Sequence, residues 1–189
     1  MAKCMKITAA AATALAILFT INYFFLKSGF FLSSTITAWT ISYHLLMRLA
    51  VGWIVDQIMH NQANYNHSWF QLKKFETKLY RILKIRKWKG KMPTYSPELF
   101  DSSRYSYTQI AQAMCQAEIV HECIIVLSFM PVLLTFLFGD FFVFLTTSLV
   151  AALYDSLFVM MQRYNRPRIL KLAEWKANNH PHKSNESRA

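Results

Sequence analysis

Four long apolar blocks, near residues 7–26, 30–55, 119–138 and 141–161, constrain this chain more than any other feature. Each is about the length that an α-helix needs to cross the hydrocarbon core of a bilayer. Lipid offers no partners to a bare backbone, so such blocks must be helical. The expected fold is therefore all-α: an integral membrane helical bundle of about four transmembrane helices. Residues 1–172 are expected to form a single membrane-embedded domain, and 173–189 a disordered polar tail.

The charges lie between the blocks, and their distribution predicts an orientation. The formal net charge is +11. Residues 60–116 hold ten Lys/Arg against three acids, and residues 162–189, after the last block, hold seven more Lys/Arg. Lys27 and Asp140 are left for the other face. The positive-inside rule then places both termini and the basic region 60–116 in the cytoplasm, in a multi-pass protein of the cell membrane. The same rule accounts for the positive charge without a nucleic acid partner. The first block ends in Asn22-Tyr23-Phe24-Phe25-Leu26-Lys27 with no small-x-small cleavage site, so it reads as an uncleaved span rather than a signal peptide.

Between the second and third blocks, Trp69, Phe70, Phe75, Leu79 and Ile82 fall at helical spacing among lysines. This pattern predicts an amphipathic helix lying on the bilayer, its lysines towards anionic head groups. Gly90 and Pro93 end it. Pro131 is expected to kink the third span, and Gly139-Asp140 to form a tight turn. Cys4, Cys115 and Cys123 have neither the number nor the spacing of a disulfide framework.

Polar residues inside the blocks point to a site. Ser33, Thr37, Thr40, His44 and Arg48 lie on one face of the second helix, with Gly52 further along it to allow close backbone approach. Asp155 interrupts the fourth block, where a charge is expensive and usually functional. Glu118, His121 and Glu122 stand at the inner end of the third. All belong to one layer near the cytoplasmic interface. His121, oriented by Glu118 or Glu122, is a candidate general base for deprotonating a hydroxyl that attacks an acyl group. His44 and Arg48 are candidates to stabilise the resulting oxyanion. Two blander readings stand beside these: a charged helix end at the interface, and Arg48 pairing with Asp155 so that neither charge is bare in the bilayer. His44, His121 and two glutamates could also serve as metal ligands, but HExxH spacing is missing; no metal site is assigned.

The exit from the last block, Gln162-Arg163-Tyr164-Asn165-Arg166-Pro167-Arg168, reads as an anion-binding lip, since guanidinium groups suit phosphate. Arg86, Lys87 and Trp88 are weaker candidates for the same role, because lysines there also suit general head-group adhesion.

The order Arg86-Lys87-Trp88-Lys89, then Ala117-Glu118-Ile119-Val120-His121, then Gln162 to Arg168 resembles the glycosyl-4,4'-diaponeurosporenoate acyltransferase family over roughly residues 75–172. The resemblance implies a small membrane enzyme of staphyloxanthin-type carotenoid biosynthesis, which moves a fatty acyl group to a sugar hydroxyl of a glycosylated carotenoid. The expected function is thus acyl transfer to a hydroxyl of a lipidic acceptor at the cytoplasmic membrane face. No cofactor is expected; the donor is an acyl-CoA or acyl-carrier-protein thioester, whose phosphates Arg163, Arg166 and Arg168 hold. The rival readings are a non-catalytic lipid-binding scaffold and a membrane metalloenzyme.

Overall fold

In a computed structural model of the chain, which describes residues 2–93, 95–139 and 141–179, every regular element is helical among the described residues. Helix α1 spans Ala2–Leu26 and α2 spans Gly29–Met59. The short α3 (Lys74–Ile82) and α4 (Ile85–Trp88) follow, then α5 (Tyr107–Leu127), α6 (Thr135–Phe138) and α7 (Phe141–Asn179). Four helical stretches are long and apolar enough to cross a membrane: 2–26, 29–59, 107–138 and 141–179.

The helices pack through narrow polar or small-residue faces and leave their bulky apolar sides outward. Ala9 and Ala16 are buried on α1, seven residues apart and hence on one face. Beside them Thr13 Oγ1 meets Ser42 Oγ at 2.6 Å, and Trp39 Nε1 donates to Thr20 Oγ1 at 3.0 Å. Between α2 and α5, Met47, Val51 and Val55 pack with Ile124. The buried stripe of α7 runs Phe144, Ser148, Ala152, Asp155, Phe158, Gln162 and Arg166. Phe24, Phe25, Phe136, Leu137 and Phe142 are exposed. An aqueous surface rarely carries so much contiguous apolar area, whereas lipid tails solvate it.

The interfacial segment keeps the expected amphipathic pattern only in α3: Trp69 and Phe70 fall in a separate 3-10 turn, Ser68–Phe70, and α3 ends at Ile82, before Gly90. Phe75, Leu79 and Ile82 of α3 are exposed, alongside Lys74 and Lys78. The opposite face buries Glu76 and Tyr80 against the bundle.

Three local expectations need correction. The third span does not run unbroken to residue 138: α5 stops at Leu127, and a 3-10 turn, Met130–Leu134, carries Pro131 at its start. Proline lacks the N–H that an α-helix needs in its interior, so the kink becomes a break. Residues 173–179, expected to be irregular, continue α7 through Asn179. Leu172, Ala173, Glu174, Lys176 and Ala177 favour or tolerate helix, and Lys176 Nζ lies 5.7 Å from the Tyr107 ring centroid. Gly52 does not serve close helix packing, because a Cβ built there meets nothing within 4 Å. Gly139, by contrast, has φ +75°, a conformation that glycine adopts without strain. The turn residue Asp140 and the tail beyond Asn179 lie outside the described residues.

Candidate active site

Helices α2, α5 and α7 bring one acid, one base and one cation together in the bundle interior. Asp155 on α7 is fully buried. Its Oδ1 lies 2.8 Å from His121 Nδ1 on α5. Its Oδ2 accepts from Arg48 Nη2 on α2. A carboxylate can only accept, so the imidazole donates through Nδ1–H and Nε2 stays outside that bond. The His121 ring stacks on Phe158, 4.6 Å between centroids and 8° between planes. Tyr154 closes the group, edge-on to Phe158 and 5.5 Å beneath the Arg48 guanidinium. Packing on one side and a carboxylate on the other hold the imidazole in one orientation.

This group borders a cavity of about 1080 Å³ that Arg48, His121, Tyr154, Asp155, Phe158 and Gln162 help to line. Towards the C-terminal end of α2 the wall becomes polar. There Gln116 Nε2 donates to Asp56 Oδ1 at 2.9 Å, and Gln116 Oε1 accepts from the Asn61 N–H at 2.6 Å. The 93–100 loop contributes Pro93, Ser96 and Phe100 to the same end.

The orientation of His121 corrects the sequence reading. Glu118 is one turn before His121 on α5, but a helix turns about 100° per residue, so neighbours three apart diverge enough to face different helices. Glu118 is fully buried and faces two arginines. It accepts from Arg163 Nη1 at 2.5 Å and from Arg166 Nη2. Glu122 accepts from Trp69 Nε1 at 3.0 Å. Neither carboxylate bonds the imidazole; Asp155, 34 residues away, does.

The arginine lip also divides. Arg163 Nε reaches Glu76 Oε1 at 2.6 Å and Nη2 reaches Glu76 Oε2 at 3.1 Å. Its remaining N–H groups meet Glu118, the Trp69 carbonyl (2.9 Å) and the Gln71 carbonyl (3.0 Å). A guanidinium has five N–H groups, and here all five have protein acceptors, so none is left for a phosphate. Arg166 is 1% exposed, bonds Glu118 and donates to Cys115 Sγ at 3.0 Å. Two arginines and two glutamates thus form a neutral buried cluster that clamps the 69–76 segment to α5 and α7. Burial alone would raise the Glu76 carboxyl, but the Arg163 hydrogen bonds, the Lys73 N–H and the Arg163 charge outweigh it and hold it below its ordinary value. Burial, then the Glu76 charge, pushes the Tyr80 hydroxyl upward.

The remaining candidates scatter. Arg168 is exposed and lies 3.6 Å over the Tyr164 ring, with Nη1 on the Tyr164 carbonyl. Tyr164 also packs edge-on to Tyr80, and Asn165, half-buried, does not line the cavity. Arg86 and Lys87 are exposed on α4, and Trp88 Nε1 donates to the Leu83 carbonyl. His44 lies one turn from Arg48 but outside the cavity lining; neither ring nitrogen has a partner among the described residues. No three His, Cys, Asp or Glu side chains gather as a metal set among the described residues.

Several contributors went unnoticed in the sequence. Asp56 continues the Arg48–Gly52 register by one more turn of α2, a signal that was available. Glu76 reads locally as an ordinary acid in an amphipathic helix, and only the tertiary contact with Arg163 distinguishes it.

The family model for glycosyl-4,4'-diaponeurosporenoate acyltransferase matches residues 66–174. This chain belongs to that family. The family's activity is acyl transfer in carotenoid biosynthesis, and the four long apolar helices fit a membrane protein. No curated protein and no solved structure matches it. The family match contains Glu76, Glu118, His121, Asp155, Arg163 and Arg166. It leaves α1 and α2 outside, so Arg48 and the α2 wall of the cavity are supplied by a part of the chain that the family model does not cover.

Proposed function

We propose that the chain transfers a fatty acyl group from a thioester of coenzyme A or acyl carrier protein to a hydroxyl of a glycosylated, lipidic acceptor of the carotenoid type. The observation that carries this reading is the 2.8 Å contact between Asp155 and His121 on the wall of a large cavity. His121 Nε2 takes the proton of the acceptor hydroxyl as its oxygen attacks the thioester carbonyl carbon. Asp155 stabilises the imidazolium that forms. The N–H groups of Arg48 not engaged by Asp155 face the developing oxyanion. Collapse of the tetrahedral intermediate breaks the C–S bond. The leaving thiolate takes the proton from Nε2, giving an ester and a free thiol.

In this scheme Arg163 and Arg166 are positioning residues that fix the interfacial segment, and His44 has no role. The positive-inside rule supports both termini and the basic region 60–116 on the cytoplasmic side. The exposed apolar face of α3, flanked by lysines, supports its lying on that leaflet.

The test is the product profile of cells producing the wild-type chain or His121→Ala, with the glycosylated acceptor supplied. An acylated glycolipid that appears with the wild type and disappears with His121→Ala, at equal membrane abundance, is the expected result. Equal product in both would sink the scheme. A scaffold that only binds lipid gives no new ester in either.

A further inference from the structure

Gly52 lines the cavity one helical turn beyond Arg48 on α2, and the reaction scheme leaves it unused. A glycine inside a helix weakens it relative to alanine. The ordinary reasons for placing one there do not apply. Its φ is not positive. It is not at a helix end, since α2 continues to Met59. No neighbouring element approaches it, because a Cβ there meets nothing within 4 Å. What the missing side chain leaves is open space in the cavity.

We propose that Gly52 keeps open the passage through which the carrier arm of the acyl donor reaches His121. This rests on the acyl-transfer reading and adds a residue that selects the donor. The thioester carbonyl has to lie beside His121 Nε2 and Arg48. The carrier itself, a nucleotide or a small protein, is too large and too charged to enter the bundle, so an extended arm must connect the two. Asp56, Asn61 and Gln116 line the end of the cavity at the C-terminus of α2, next to the basic segment. At 1.5 Å per residue, Asp56 lies ~12 Å along α2 from Arg48, and Gly52 stands midway. An arm running from the reacting carbonyl to that end passes Gly52. The amide and carboxylate groups there suit an arm that itself contains amides. The acyl tail runs the other way, towards Leu45 and Ile124, where the wall is apolar.

The experiment uses the full chain purified in detergent, with a glycosylated carotenoid as acceptor. Three palmitoyl thioesters serve as donors: those of coenzyme A, of acyl carrier protein and of N-acetylcysteamine, which lacks most of the arm. Gly52→Leu is expected to raise KM for the wild type's long-arm donor about tenfold or more, with a change of about twofold or less for the truncated donor. Gly52→Ala is expected to fall between wild type and Gly52→Leu, and neither variant is expected to lower the melting temperature. Equal loss on long and truncated donors overturns the proposal, as does no loss on either. Absence of transfer by the wild type from all three thioesters is a separate result: it overturns the acyl-transfer reading, and the proposal with it.

Discussion

His121 and Asp155 lie 34 residues apart in sequence and 2.8 Å apart in the bundle, whereas Glu118, on the same helix as His121, turns to Arg163 and Arg166. The imidazole and its carboxylate partner therefore sit on different helices, and the distance between α5 and α7 governs their contact.

Removal of the base should be more damaging than removal of its partner. His121→Ala is expected to lower transfer by about 10²–10⁴-fold, the range for loss of a positioned general base. Initial rates of ester formation at matched protein concentration check this, with thermal melting as the control for folding. A rate within about threefold of wild type contradicts the role given to His121.

Charge balance in the bilayer separates structural from catalytic loss at Asp155. Asp155→Leu leaves the half-buried Arg48 without its partner, which is expected to destabilise by up to ~3 kcal/mol, the lower end of the range for a fully buried pair. Adding Arg48→Met removes the orphaned charge and should recover most of that stability. Transfer should stay low in the double variant, since His121 has still lost the acceptor for Nδ1–H. Recovery of activity together with stability would mean that the group serves helix assembly alone.

The interfacial clamp should be acid-labile. Glu76 is more acidic in the folded chain than in the unfolded one, because Arg163 favours its carboxylate. Its contribution is then complete above the ordinary carboxylate range and is lost as pH falls through the lowered folded value. Trp69 supplies a reporter, since its carbonyl accepts from Arg163. Its fluorescence should shift on acidification into that window in wild type, and Glu76→Gln should show the shifted spectrum already at neutral pH. Arg163→Lys should do the same, because an ammonium cannot reproduce five directed N–H contacts. A neutral-pH spectrum identical to wild type in both variants would rule out the clamp.

The thiols offer a check on the packing around Arg166. Cys4 is exposed and Cys115 is buried, accepting from Arg166. A maleimide should label Cys4 rapidly in the folded protein and Cys115 only after denaturation, or in Arg166→Ala. Rapid labelling of Cys115 in the native wild type would contradict the buried cluster.

Much of this architecture was legible in the residues. The four spans follow from apolar length, because a bilayer forces each block to satisfy its own backbone. The depth of the site also follows, since Arg48, His121 and Asp155 occupy equivalent heights on their helices. Pro131 marks a break, though not whether the chain kinks or stops. The helix over residues 173–179 was legible in the propensity of Ala173, Glu174, Lys176 and Ala177, but the polar character of the segment masked it.

What the sequence by itself determined is the set of spans, the layer of polar groups within them, and the family. What the tertiary structure decided is who faces whom. Arg163 and Arg166 look like phosphate ligands as a motif, but Glu76 and Glu118 occupy their N–H groups. Glu118 looks like the partner of His121 by spacing, yet Asp155 takes that place. The reason is rotational. Apolar length sets where a residue lies along the membrane normal, but the turn of each helix about its axis is settled only by packing against its neighbours.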